Sequence, residues 1–160
     1  MIKLVPRLLP VVLFFLASCS SDGATGPGKT PVYDTIAGTY SGAMVGLSQG
    51  VGLNSIFSLT MNQNAGAISG SYGLSGTLSD GVTSVQVAGT GTLTGSIAQG
   101  SNPSVNLTIR TGACPNYTAN FSGAYDSANH RLTITGPVEF FANNSCTVVL
   151  SYVGTIILNR

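Results

Sequence analysis

The chain is 160 residues long, with six Lys+Arg against five Asp+Glu, one His and a formal net charge of +1. It carries no basic patch, which excludes nucleic acid as an expected partner. Gly, Ser, Thr and Asn are abundant and charges few, a balance that would suit disorder, but frequent Val, Ile, Leu, Tyr and Phe supply a core to bury.

In chain order, Lys3 and Arg7 form a short basic segment, and an apolar block follows from Leu8 to Ala17. About ten apolar residues are too few to cross a hydrocarbon core, which takes about twenty in a helix. The length suits the apolar region of a signal peptide, with small residues (Ala17, Ser18) before the cleavage point. Pro6 and Pro10 also argue against a long stable helix. The block ends in Leu16-Ala17-Ser18-Cys19, which resembles the lipobox of bacterial lipoproteins. That resemblance implies that residues 1–18 are removed and that Cys19 is lipidated as the first mature residue. Ser20, where retention at the inner membrane would call for Asp, implies the outer membrane of a Gram-negative cell. The acyl chains of such an anchor suffice for stable attachment. The alternative is an ordinary secretory signal with Cys19 a bystander.

Residues 19–32 read as a tether, because Ser20 to Pro31 holds nothing apolar enough to pack. If flexible, it reaches roughly 20 Å. The folded domain is expected over residues 33–160. Its charged groups include Arg110, Arg131, Arg160, Asp34, Asp80, Asp126 and Glu139. Past Cys19 two cysteines remain, Cys114 and Cys146, and an exported protein with an even number of thiols is expected to pair them. Closing such a loop stabilises by roughly 3–4 kcal/mol in the chain-entropy model. A metal site would need more ligands than two cysteines and the lone His130 supply, so neither metal nor cofactor is expected.

From Tyr33 onward the hydrophobic period is two. The longest case is Val85 to Ile97, where Val85, Val87, Gly89, Gly91, Leu93, Gly95 and Ile97 alternate with Gln86, Ala88, Thr90, Thr92, Thr94 and Ser96. Such alternation gives a strand one apolar and one polar face. The glycines on the apolar face suggest bends or close packing in a curled sheet. Shorter runs repeat the pattern at Phe57–Met61, Val105–Ile109, Tyr117–Phe121 and Leu132–Ile134. Eight strands are expected near residues 35–46, 55–62, 66–76, 82–98, 104–111, 117–125, 131–140 and 146–158. Turn signals separate them at Asn62 to Gly66, Asp80-Gly81, Gln99 to Pro103, Asp126 to Asn129 and Asn143-Asn144, with a longer break over Leu47–Asn54. Short, regular connections favour an all-β, up-and-down antiparallel meander, and eight strands close into a small barrel. In a meander the connections after strands 1, 3, 5 and 7 share one end. Cys114 and Cys146 fall there, so a disulfide is geometrically allowed. The N-terminus enters at the opposite end.

Ile36-Ala37-Gly38-Thr39-Tyr40-Ser41-Gly42 recurs in style at Ile68-Ser69-Gly70-Ser71-Tyr72 and Phe121-Ser122-Gly123-Ala124-Tyr125. This Gly-x-aromatic pattern resembles small bacterial lipoproteins with calycin-like barrels, and looks like the opening strands of the avidin and lipocalin families. The avidin-type biotin site is lined with tryptophans and this chain has none, which speaks against biotin. The lipocalin opening motif carries Trp where Tyr40 stands here.

No catalytic constellation emerges. His130 could pair with Asp126, but Asp126 to Arg131 reads as an exposed turn and strand start. No two acids stand out as a glycosidase pair. Asp80-Gly81 reads as a hairpin turn, and no helix follows any Gly cluster to cradle a phosphate. The apolar stretches say more. Phe140-Phe141 and Val148–Leu158 carry large side chains on both faces, so one face is either covered by the tether or left as a partner patch. The expected function is non-enzymatic: a small apolar ligand or a partner held at the membrane-distal end. Candidate residues are Leu47, Val51, Leu53, Tyr117, Phe140, Phe141 and Tyr152. The alternative is a filled barrel that docks another envelope protein through its last strand.

Overall fold

A computed structural model describes residues 30–142 and 146–160. The expectations for the signal segment, for Cys19, for most of the tether and for the Asn143-Asn144 turn lie outside the described residues. Residues Pro31–Arg160 form one compact unit. It contains eight strands: β1 (Gly38–Ser48), β2 (Val51–Asn64), β3 (Ala67–Ser79), β4 (Ser84–Ile97), β5 (Ser104–Thr111), β6 (Thr118–Asp126), β7 (Arg131–Phe141) and β8 (Val148–Asn159). Each is hydrogen-bonded to the next in antiparallel sense, and β8 returns to β1 to close the barrel. The all-β, eight-stranded, up-and-down barrel is thus the observed architecture.

Period-two alternation builds this wall directly. Leu53, Phe57, Leu59 and Met61 of β2 point inward, as do Leu93 and Ile97 of β4, Val105, Leu107 and Ile109 of β5, and Leu132 and Ile134 of β7. Hydroxyls and amides face outward and bond across strands, as in Thr135–Thr155 (2.8 Å) and Thr108–Asn120 (2.9 Å). The inner glycines allow close approach. A Cβ on Gly91 would overlap the Arg110 carbonyl and the Tyr72 ring, and one on Gly95 would overlap the Asn106 carbonyl.

The expected break over Leu47–Asn54 is corrected by the structure. It is a hairpin whose turn is only Gln49-Gly50, both at positive φ (51° and 80°), so Leu47 belongs to β1 and Val51 and Leu53 to β2. Two successive positive-φ residues match the right-handed twist of the flanking strands, as Asn-Gly turns do. Gln-Gly lacks that familiar signature, and Gly46, Gly50 and Gly52 blur the alternation.

One end of the barrel is shut by residues 31–37. Ile36 is fully buried, and its N–H donates to Gln63 Oε1 at 2.8 Å. Gln63 Nε2 in turn donates to the carbonyls of Asp34 (3.0 Å) and Ala65 (2.8 Å). From the barrel floor, Tyr125 Oη donates to the Thr35 carbonyl at 3.1 Å, and its ring meets Tyr40 edge-on at 6.2 Å. The chain therefore crosses this end before turning into β1.

Candidate functional site

The opposite end is built differently because its strands do not all reach it. β6 and β7 are paired only from Ser122↔Thr135 to Asp126↔Arg131. Beyond that pair, Thr118–Phe121 and Gly136–Phe141 part company. On the other side, β4 pairs with β5 only from Gly91 to Ile97, so Ser84–Thr90 runs on past it. The short β5–β6 hairpin is thus flanked by two gaps in the wall. Its connection carries Cys114, which is joined to Cys146, 32 residues further on, with the Cα atoms 5.6 Å apart. The expected disulfide is present, and it ties the short hairpin to the connection that leads into β8.

Behind this bridge lies a cavity of about 850 Å³. Its wall is mostly apolar and aromatic, including Phe57, Tyr72, Leu74, Phe121, Val138 and Leu150. Phe57 stacks on Tyr72 with centroids 5.9 Å apart and leans on Phe121 at 6.0 Å. At the parted seam Tyr117 meets Phe141 edge-on at 4.9 Å. A Cβ on Gly136 would strike the Phe121 ring, so this glycine lets the ring turn across the seam. The volume is in the range of small-molecule sites, which are typically about 300–1,000 Å³ and largely apolar.

Three of the seven candidate residues line this cavity: Tyr117, Phe140 and Phe141. The other four do not. Leu53 is buried in the core, Val51 is half-buried beside the turn, and Leu47 lies on the outer face with 77% of its surface exposed. Tyr152 is buried, and its Oη donates to the Val51 carbonyl at 3.0 Å, which ties β8 to the start of β2. Burial holds the Tyr152 pKa above the usual phenol value. The missed residues, Phe57, Phe121, Val138 and Leu150 among them, belong to apolar runs already visible in the sequence. What the sequence lacked was any sign of which stretch of each strand stays unfilled.

The cavity also holds a polar group. Glu139 lines it from β7, and its Oε1 accepts from Ser151 Oγ at a long 3.5 Å. Its Oε2 is buried with no hydrogen-bond partner. The Tyr117 hydroxyl is pushed well above its ordinary pKa, first by burial and then by the Glu139 carboxylate beside it. The hydroxyl lies near the carboxylate, yet Oε2 itself has no hydrogen-bond partner.

Elsewhere the titratable groups serve turns. The Asp126 carboxylate accepts from the Asn129 backbone N–H (3.2 Å) and side chain (2.7 Å) and lies 3.8 Å from Arg131. It is not bonded to His130, whose Nδ1 lies 3.3 Å from Tyr125 Oη. Asp80 Oδ1 accepts the N–H groups of Val82 (2.9 Å) and Thr83 (2.7 Å) in the β3–β4 turn. Among the described residues no three or more His, Cys, Asp or Glu side chains converge as a metal site. No family model matches the chain, and searches of curated proteins and of solved structures found no match either.

Proposed function

We propose that the protein is a lipid-anchored lipoprotein of the bacterial outer membrane whose calycin-like barrel binds a small apolar ligand. The observation that carries the reading is the 850 Å³ apolar cavity at the disulfide end, opposite the end that residues 31–37 close. With Cys19 lipidated, the tether would leave the closed end toward the membrane and the cavity would face away from it. Binding there needs no catalytic group. The barrel would act as a carrier or sensor.

Native mass spectrometry of residues 19–160 carrying Cys19→Ser, exported behind an ordinary cleavable signal peptide and purified from the periplasm under oxidising conditions, tests this. An apolar molecule retained on the oxidised chain supports the reading. A chain that neither retains nor takes up any apolar molecule sinks it. The anchor is tested separately by palmitate labelling, which is expected on the wild type and lost in Cys19→Ala.

A second reading has its own observation. On the outer face of the closure seam, Val45 and Leu47 of β1 and Val153 of β8 are each 75% exposed or more, and Ile56 and Ile157 are about half exposed. Such a stripe favours docking of another envelope protein through the last strand. In that case Val153→Asp with Ile157→Asp would abolish cross-linking to the partner in cells and leave ligand uptake unchanged.

A further inference from the structure

Among the described residues that line the cavity, Glu139 is the only charged one. Lys and Arg are absent from that lining, so nothing there would receive an anionic head group. Glu139 lies on the outward-facing parity of β7, opposite to Val138 and Phe140, and is paired with Ser151 of β8. On a complete wall it would face solvent. It reaches the cavity because β6 has parted from β7 at this point. Its Oε2 is thereby withdrawn from water and left unpartnered. A buried carboxylate oxygen without a donor is costly. Tyr117 stands beside it, and the Tyr117 ring in turn meets that of Phe141, which also lines the cavity.

A carboxylate next to the Tyr117–Phe141 ring pair, at the edge of an apolar chamber, is suited to one kind of head group. An ammonium can donate to the free oxygen and also lie against the ring faces. Resting on the ligand-binding reading above, we propose that the ligand is a cationic amphiphile: an apolar body in the chamber and an amine or ammonium head at Glu139, in the β6–β7 seam. Anionic amphiphiles of the same length are disfavoured, because their charge would sit against the carboxylate with no cation to offset it.

The test is a displacement titration on the full oxidised chain carrying Cys19→Ser, so that no acyl group of the protein competes. The neutral fluorophore N-phenyl-1-naphthylamine reports occupancy of the cavity. Dodecylammonium, dodecanol and dodecanoate, each below its micellar concentration, are the competitors. Dodecylammonium is expected to displace the probe at a concentration about tenfold or more below dodecanoate, the scale of one charge-assisted hydrogen bond. In Glu139→Gln that preference should collapse to about twofold, while dodecanol is unaffected. Asp80→Asn, on the β3–β4 turn at the same end, changes net charge equally and should keep the preference. If the probe binds but the order of competitors is flat, or survives in Glu139→Gln, the cationic head group is wrong and the cavity reading stands. If neither probe nor any competitor binds, both fall.

Discussion

At the end where residues 31–37 cross the barrel, Ile36, Tyr40 and Tyr125 are fully buried, and Gln63 and Tyr125 bond the crossing segment's backbone. At the other end, Tyr72, Tyr117, Phe140 and Leu150 are only partly buried, and about 850 Å³ is unfilled. The same strands, with the same alternation, build both. The difference lies in what caps them. A crossing segment with its polar groups satisfied turns one end into ordinary core. At the other end two strand pairs stop short, and a disulfide holds the rim without filling the space.

The largest expected effect is at the filled end. Tyr40→Ala should lower stability by about 3–5 kcal/mol, read as a shift in urea midpoint, because it opens a void in packed core. Removing the disulfide with Cys114→Ala and Cys146→Ala should cost roughly 3–4 kcal/mol. It should also speed hydrogen exchange in the β5–β6 connection while amides near Ile36 stay protected. Equal loss of protection at both ends would show that they are not independent. Leu150→Ala, at the rim of a space that is already empty, is expected to cost only about 1 kcal/mol. A cost equal to that of Tyr40→Ala would mean that the open end is packed in solution.

Two pH dependences sharpen the contrast further. Burial raises the Tyr40 pKa, with the Tyr125 hydroxyl adding to the effect, and Tyr117 is raised at the open end. A phenol held neutral in the fold contributes fully below its unfolded pKa of about 10, and that contribution is lost as pH rises above it. Alkaline denaturation curves should therefore flatten in Tyr40→Phe and, less, in Tyr117→Phe. At neutral pH, Tyr40→Phe should be near neutral, since the buried Tyr40 hydroxyl has no hydrogen-bond partner. The smallest effect is acidic. Asp80, at the open end, is held below its ordinary pKa by the Thr83 and Val82 amides, and Asp126, at the closed end, by Asn129. Their contribution is present above the unfolded pKa of about 4 and fades as pH falls below it. Both are exposed, so Asp80→Asn and Asp126→Asn should each flatten the acid limb only slightly.

The sequence by itself determined the strand count, the meander, the inward and outward faces and the cysteine pairing. Each follows from a local signal: period-two alternation, turn residues, and the parity of connections in a meander. Ser-Gln-Gly at the β1–β2 turn defeated that reading, because positive φ at Gln49 is a property of the hairpin rather than of the residue. The candidate site was half legible. Tyr117 is legible from its place beside the Cys114 connection and Phe140 and Phe141 from their large apolar side chains on both strand faces, whereas Glu139 reads in the sequence as one strand acid with no paired carboxylate. Only the tertiary structure decided that β6 joins β7 no earlier than Ser122, that Ile36 plugs one end, and that an outward-facing carboxylate ends up against a cavity. Alternation says which face a side chain takes. Which stretch of that face is filled depends on how far each neighbouring strand extends, and that is a property of pairs of strands distant in the chain.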